Sequence, residues 1–261
     1  MKVLFVCSGT SKNVESLRTR IPFVSEMKDS LENEGVDVDV FIIKGNGLLG
    51  YLKEIPAYRK QVKNGEYDLV HAHYGLSGML AVFQQLCPVI ISFIGEMNLT
   101  LPRIISKIAI KFSTYNIFVS DGLRLKSKIK KNYEIHPYGV NFEVFFPVDK
   151  IKAREKMGIS KDAKICLFGA SKKNPIKNFK LAEQALSDDI QVIDLMKGFS
   201  REEVNLLINA SDFVLLTSIC EGSPQIIKEA MACNRSIIST DVGDVRELLK
   251  GLNGCYVTGF D

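Results

Sequence analysis

The sequence contains no tryptophan and only three histidines. Its charge is nearly balanced, with Lys+Arg 34 against Asp+Glu 30 in 261 residues. These shortages argue against a dedicated nucleic-acid binder, which would usually be more basic. A zinc site is disfavoured because no histidine lies at ligand spacing from a cysteine. No apolar run approaches the roughly 18 residues that a membrane-spanning helix needs.

The cysteines form no Cys-x-x-Cys pair, and several of them lie in apolar, strand-like runs. We therefore expect reduced core residues of a cytoplasmic protein. The N-terminal run Met1–Gly9 is too short for a signal peptide and predicts a buried first strand that ends in a turn. The six cysteines are Cys7, Cys87, Cys166, Cys220, Cys233 and Cys255.

Short apolar runs alternate with helical patterns along nearly the whole chain, and 46% of the residues are hydrophobic. The repeated strand–helix–strand order predicts an α/β protein whose parallel sheets are covered on both faces. A connection punctuated by proline and glycine, Pro137–Pro147, separates two such series. We place the domain boundary there, between residues 1–141 and 142–261. Two such domains predict a cleft between them in which a ligand binds.

The segment from Ser218 to Cys233 carries the strongest chemical signal. The apolar strand Phe213–Leu216 runs into a glycine-containing turn, where Ser223 is suited to cap the next helix and Pro224 to its first position. Backbone N–H groups at that helix start would form an anion site suited to a diphosphate.

Two carboxylates frame this predicted anion site: Glu221 in the turn and Glu229 inside the helix. A structural glutamate at position 229 would want a cation four residues away, but Gln225 and Cys233 stand there. Carboxylates beside a phosphate site would repel the ligand unless they accept hydrogen bonds from hydroxyls. Sugar and ribose hydroxyls are suitable donors. The alternative is an ordinary loop glutamate and an ordinary surface glutamate.

The spacing of Glu221 and Glu229, followed by Ala230-Met231-Ala232-Cys233 and later by Asp241-Val242-Gly243, resembles the hallmark of retaining nucleotide-sugar glycosyltransferases of family four. The resemblance covers nearly the whole chain and implies the GT-B fold, in which two Rossmann-like parallel-sheet domains face a cleft. Three further stretches resemble parts of that family: Phe168-Gly169 with Lys177-Asn178, His71-Ala72-His73-Tyr74-Gly75, and Pro137-Tyr138-Gly139-Val140-Asn141.

The resemblance implies roles for individual residues. Glu221 would bind hydroxyls of the transferred sugar, Glu229 would bind the ribose, and Lys177 would neutralise the diphosphate leaving group. The family's usual arginine is replaced by Ala170-Ser171, so Lys172 or Lys173 would assist Lys177, or both would lie in a solvated loop. The other residues predicted to bind the donor are Gly9, Gly169, Lys197, Gly198, Gly222, Ser223 and Pro224.

Of these residues, Lys197 and Gly198 would lie near the nucleotide base. The Ser8-Gly9-Thr10 turn would close over the phosphates, or would be a plain turn at a strand end. One departure concerns catalysis, because Ile94 stands where the family commonly has a histidine that contacts the donor sugar. Glu96 would fill part of that role or would begin a helix. His73, at the carboxyl end of a strand, is the other candidate for a catalytic residue.

The sequence thus predicts a retaining glycosyltransferase that moves a sugar from a nucleotide-sugar donor to a glycan or lipid-linked acceptor, in cell-surface polysaccharide synthesis. The resemblance implies no metal and no cofactor beyond the nucleotide-sugar co-substrate, and we expect no nucleic-acid partner. The alternative is a catalytically inactive GT-B protein that binds a sugar nucleotide or serves as a scaffold.

A basic stretch in the first domain suggests a second partner. Between Arg103 and Lys131 lie eight basic residues and one acid, Asp121. This stretch is either a set of solvated helix faces or a patch for anionic lipid, which would place the protein on the inner face of the membrane.

The second α/β series ends on a strand at Cys255-Tyr256-Val257. Proteins of the resembling family usually continue for one or more helices. We therefore expect a second domain that is shortened at its C-terminus, with apolar surface exposed.

Overall fold

The computed structural model describes residues 1–8, 21–45, 47–95, 100–195 and 198–260. The chain divides into two compact units, Met1–Pro137 and Tyr138–Asp261. This division lies a few residues before the boundary expected at residue 141. The reason is that the start of the connection is bound to the second unit, where Lys228 Nζ donates to Tyr138 O at 2.6 Å and Gln225 Nε2 donates to Gly139 O at 2.6 Å.

The first unit contains a parallel sheet of six strands in the order β2-β1-β3-β4-β5-β6. The buried run Val3–Cys7 of β1 is covered on both faces, as a central strand of a parallel sheet requires. The strands are β1 Lys2–Ser8, β2 Asp37–Ile43, β3 Leu69–His73, β4 Val89–Phe93, β5 Tyr115–Phe118 and β6 Tyr133–Ile135. The helices are α1 Pro22–Asn33, α2 Gly47–Gly65, α3 Gly75–Ala81, α4 Thr100–Phe112 and α5 Asp121–Ser127.

The second unit contains a parallel sheet of five strands in the order β11-β10-β9-β7-β8. The strands are β7 Lys164–Phe168, β8 Ile190–Asp194, β9 Phe213–Leu216, β10 Ser236–Thr240 and β11 Cys255–Thr258. The helices are α6 Lys150–Met157, α7 Phe179–Ala185, α8 Arg201–Ala210, α9 Gln225–Ala232 and α10 Val245–Leu248, and a short 3₁₀ turn covers Pro175–Lys177.

The core of the second unit forms where α8 and α9 bury their apolar sides against the sheet. Leu167 of β7 and Val214 of β9 are fully buried there, together with Ile208 of α8 and Ile227 of α9. Removing such side chains from water supplies about 1.5–3 kcal/mol each. This packing fixes the start of α9 beside the carboxyl ends of β7 and β9.

The predicted fold class, two parallel-sheet α/β domains, is confirmed. The apolar strand predicted at Phe213–Leu216 is β9, with the same bounds. Four helices were not anticipated from the sequence, namely α2, α5, α6 and α10. The first, α2, contains Pro56, a residue that usually breaks a helix, and α6 buries only Ala153 and Arg154, so it shows no apolar stripe.

All six cysteines are free. Cys7, Cys166 and Cys233 are fully buried, and burial raises the pKa of each of these thiols to about 12, so they stay protonated. The expectation of core cysteines is confirmed for these three, whereas Cys87, Cys220 and Cys255 are half-buried. Across the residues described, no helix is both long and apolar enough to span a bilayer.

Candidate functional site

The carboxyl edge of the second sheet gathers the loops that follow β7, β9 and β10. Gly169 lies directly after β7, where a Cβ atom would stand 2.7 Å from Ile226 Cγ1 of α9. Gly243, with φ +62°, lies after β10, where a Cβ would stand 2.6 Å from the carbonyl oxygen of Gly222. Gly169 therefore allows the backbone after β7 to approach α9, and Gly243 allows the backbone after β10 to approach the turn 217–224, more closely than a residue with a Cβ could.

Lys177 and Glu221 meet at this edge. Lys177 Nζ donates to Glu221 Oε1 at 2.5 Å, and Ser218 Oγ donates to the same oxygen at 2.6 Å. The Glu221 side chain is 15% exposed and that of Lys177 is 24% exposed. The structure thus brings together two residues that lie 44 positions apart and that the sequence assigned to one site.

Backbone contacts hold Lys177 in this place. Asn174 accepts from Ile176 N at 3.1 Å and so caps the 3₁₀ turn. Ile219 N donates to Ile176 O at 2.8 Å, and Thr217 Oγ1 donates to Lys177 O at 3.0 Å. Because these bonds tie the loop after β7 to the loop after β9, the ammonium group is preorganised rather than free in solvent.

Glu229 lies inside α9, with a side chain that is only 4% exposed. Arg201 Nη2, from the first position of α8, donates to Glu229 Oε1 at 2.6 Å. The Arg201 guanidinium also lies 4.6 Å from the centre of the Phe145 ring. The prediction that Glu229 has no cationic partner is therefore wrong, because its partner comes from another helix rather than from four residues away.

The start of α9 differs from the prediction by one residue. Pro224, with an extended ψ of 118°, is the N-cap, and the helix begins at Gln225. Since no cap side chain accepts a hydrogen bond there, the prediction that Ser223 caps the helix is wrong. The first-turn N–H groups of α9 are therefore not satisfied by a cap side chain, which keeps this helix end suited to an anion.

Lys228 and Asp244 form a second charged group beside α9. Burial lowers the pKa of Lys228 from its usual range, although the charges of Asp244 and Glu229 oppose this. Burial raises the pKa of Asp244, and its neighbours Ser223 and Lys228 oppose the rise. The opposite charges of Lys228 and Asp244 thus favour the ionised form of both groups, against the effect of burial.

The remaining predicted donor-binding residues are spread over neighbouring loops. Lys172 Nζ lies 4.6 Å from the centre of the Phe179 ring, and Lys172 N donates to Asp194 Oδ2 at 3.3 Å. Lys173 is exposed, and Gly198, with φ +67°, is exposed in the loop after β8. Gly9 and Lys197 lie outside the described residues, as do Thr10 and Glu96.

In the first unit, His73 ends β3 and is fully buried. Its ring centroid lies 4.8 Å from that of Phe5 and 4.4 Å from that of His71. Burial, with a smaller contribution from the charge of His71, holds the pKa of His73 well below its usual value. His73 therefore stays neutral inside the core of its unit, and the catalytic role suggested for it stays a prediction.

The sequence assigned no role to Arg201, Thr217 or Ser218, although Ser218 begins the segment singled out there. Ser218 and Thr217 follow directly after β9, a position that could have identified them. Arg201 is the first residue of α8 and lies between Ser200 and Glu203, which form a capping box. No local pattern links Arg201 to Glu229.

The fold and this edge agree with one family of enzymes. Residues 145–261 match the family model of the Glycosyl transferases group 1. Residues 145–261 are therefore a Glycosyl transferases group 1 domain, and each of the two units has the parallel-sheet α/β fold of GT-B proteins. The resemblance drawn from the sequence is confirmed to this extent.

Individual relatives are distant. A D-inositol 3-phosphate glycosyltransferase from Geodermatophilus obscurus is 22% identical over an alignment of 262 positions. The alignment covers 77% of this chain and 58% of that protein. The chain thus spans a little over half the length of this relative. Sucrose-phosphate synthase from Thermosynechococcus elongatus has a TM-score of 0.75 at 14% identity, over 99% of this chain and 85% of that one.

Another solved structure, Anabaena HepE in complex with UDP and glucose, has a TM-score of 0.73 at 17% identity, over 99% of this chain and 86% of that one. At such identities the likeness to solved structures shows the fold alone.

Proposed function

We propose that the protein transfers a sugar, with retention, from a nucleotide-diphosphate sugar to a glycan or lipid-linked acceptor in cell-surface polysaccharide synthesis. The observation that carries this proposal is the pairing of Lys177 with Glu221 at 2.5 Å beside the start of α9. One cation, one carboxylate and a helix N-terminus in one place suit a ligand that combines a diphosphate with hydroxyl groups.

Each partner of the pair would exchange its contact when the donor binds. Lys177 would turn its ammonium group to the diphosphate, which carries more charge than the Glu221 carboxylate. Glu221, held by Ser218 Oγ at 2.6 Å, would then accept hydrogen bonds from hydroxyls of the sugar. Until the donor binds, the ion pair would therefore hold the ammonium and carboxylate groups in position and keep them only partly solvated.

The proposed reaction needs little covalent chemistry from the protein. The diphosphate would leave on the face where the acceptor hydroxyl enters, through an oxocarbenium-like state. Charge builds up on the leaving diphosphate, so Lys177 and the N–H groups at the start of α9 would stabilise it. This scheme uses no metal ion and no cofactor beyond the nucleotide-sugar co-substrate.

Glu229 would bind the ribose of the nucleotide. Its bond to Arg201 at 2.6 Å fixes the orientation of the carboxylate. A fixed carboxylate is a better acceptor for a pair of ribose hydroxyls than a mobile one, because less side-chain entropy is lost on binding.

The first donor to test is UDP-glucose, since structures of Anabaena HepE, which shares the fold, hold UDP, UDP with glucose, or UDP-glucose. A panel of UDP-, GDP- and ADP-sugars would be incubated with the full chain. Release of free nucleoside diphosphate would be measured with and without acceptor, and binding would be measured by calorimetry.

Release of diphosphate from one donor supports the proposal. If donors bind but no diphosphate is released with any acceptor tested, the result supports the alternative of an inactive sugar-nucleotide-binding protein. Ile94 motivates this alternative, because an isoleucine side chain cannot hydrogen-bond the donor sugar. Neither binding nor release across the panel overturns both.

We also propose a cytoplasmic protein that contacts the inner face of an anionic membrane. The support is the basic stretch 103–131 of the first unit, in which Lys111, Lys126 and Lys128 are exposed. Near an anionic bilayer each such base adds about 1 kcal/mol of attraction.

A further inference from the structure

Helix α4 presents its apolar side to solvent. Leu101 is 67% exposed, Ile104 52%, Ile108 40% and Phe112 68%. With about 100° between successive residues of an α-helix, these four side chains share one face. This set is called the outer face of α4. Four large apolar side chains in a single exposed row are unusual for a surface helix, which normally turns such a row inward.

The inward side of α4 carries small residues instead. Ser106 and Ala109 are fully buried there. Ser106 Oγ lies where a Cβ of Gly75, at the start of α3, would stand, only 1.8 Å away. Because a glycine faces a serine, α3 and α4 pack closely, and the larger apolar side chains have no room on the inside.

Basic residues flank the outer face. Arg103, Lys107 and Lys111 repeat every four residues and form a row along one side of it. More exposed lysines follow α5, together with Leu125, which is 58% exposed. Asp121 is the one acid in the stretch 103–131, and Arg124 Nε donates to it at 2.6 Å. The surface around the outer face is therefore of one sign.

We infer that α4 docks in the plane of an anionic lipid bilayer, with Leu101, Ile104, Ile108 and Phe112 below the headgroups and the basic row against lipid phosphates. The 13 residues of α4 form a helix about 20 Å long, and a helix of this kind lies parallel to the plane of the bilayer. A bilayer offers negative charge and hydrocarbon side by side, which matches the two properties of this surface.

A second copy of the chain fits less well as the occupant. In a two-fold symmetric pair the same surface meets itself, so the basic rows would face each other and repel. The inference rests on the membrane contact proposed above and names the helix that makes it, but it does not depend on the proposed donor chemistry.

The test is flotation of the full chain with vesicles of phosphatidylcholine alone or with about a third phosphatidylglycerol. We expect binding to the anionic vesicles at 0.1 M salt. At 1 M salt the Debye length is only about 3 Å, so the attraction between charges is screened and binding should weaken. Binding should nevertheless persist, because salt does not screen the insertion of apolar side chains. Loss of all binding at 1 M salt would overturn the insertion of the outer face.

Paired variants separate the two contributions. Ile104→Ser with Ile108→Ser should lower the partition coefficient about tenfold, because the variant lacks two aliphatic side chains that insert into the bilayer in the parent. The control is Ile151→Ser with Leu252→Ser, which removes two exposed aliphatic side chains of the second unit and should change binding less than twofold. Far-UV circular dichroism and the melting temperature should match the parent in both, because all four side chains are exposed.

The charge variant is Arg103→Gln with Lys107→Gln and Lys111→Gln, and we expect a loss of at least tenfold at 0.1 M salt. Its control removes the same charge from the second unit through Lys152→Gln, Lys156→Gln and Lys161→Gln. Equal losses in the two charge variants, or unchanged binding of the serine variant of α4, would overturn the inference. So would dimerisation of the lipid-free parent that the α4 serine variant abolishes in analytical ultracentrifugation.

Discussion

The ion pair between Glu229 and Arg201 gives the sharpest prediction about the second unit. Glu229 is only 4% exposed and Arg201 23%, and their closest atoms lie 2.6 Å apart. Replacing Glu229 with glutamine leaves the Arg201 guanidinium without its carboxylate at a largely water-excluded position. Removing one partner of a fully buried pair costs about 3–5 kcal/mol, but Arg201 keeps some solvent contact, so we expect about 1–3 kcal/mol.

The assay is urea unfolding of Glu229→Gln, Arg201→Gln and the double variant, followed by far-UV circular dichroism because the chain has no tryptophan. The double-mutant cycle isolates the energy of the pair. Lys164–Asp189 serves as a matched control, since its atoms are also close, at 2.5 Å, but its side chains are 68% and 56% exposed. We expect about 1–2 kcal/mol of coupling for the buried pair and a clearly smaller coupling for the exposed one, because solvent screens it.

The reasoning is refuted if the two pairs show the same coupling energy, because burial is the property that distinguishes them. The same variant also probes the nucleotide. If Glu229 binds ribose, Glu229→Gln should weaken affinity for a nucleoside diphosphate about tenfold, the loss expected for a hydrogen bond to a charged group. A destabilised protein with unchanged nucleotide affinity would leave Glu229 a purely structural role.

Three further changes test the rest of the structure. Gly169→Ala places a Cβ 2.7 Å from Ile226 and should cost about 1–3 kcal/mol of stability, measured by urea unfolding, while Gly122→Ala, which meets no atom within 4 Å, should not. Burial lowers the pKa of His71 from 6.5 to about 4, so its contribution to stability is complete above pH 6.5 and is lost as the pH falls toward 4. His71→Gln should therefore flatten the pH profile of the melting temperature across that window, and an unchanged slope would contradict the assignment. Glu221→Gln should reduce sugar transfer more than nucleotide affinity, and equal losses would argue against a contact with the sugar.

Much of the fold follows from local patterns in the sequence. Buried parallel strands are continuous apolar runs, so β1, β4, β7 and β9 could be located without a structure. Their order also brought Glu221 and Lys177 together, because the carboxyl ends of parallel strands meet at one edge of a sheet.

The remaining features depend on tertiary contacts that no local pattern encodes. Arg201 reaches Glu229 from another helix, and the rule for neighbouring residues on one helix cannot reveal such a partner. Ser223 has the chemistry of a cap, but Pro224 takes an extended conformation and becomes the N-cap itself. His73 stands at a strand end, as expected, yet aromatic packing buries it completely.

The central claim is that the edge carrying Lys177 binds the diphosphate of a nucleotide-sugar. Calorimetric titration of the full chain with UDP, GDP and ADP tests it most directly, with Lys177→Met as the probe and Lys180→Met, an exposed lysine nearby on α7, as the control. We predict that the parent binds at least one of the three, that Lys177→Met weakens that binding about tenfold or more, and that Lys180→Met changes it less than about twofold. Binding of none of the three, or equal affinity of the parent and Lys177→Met, would contradict the claim.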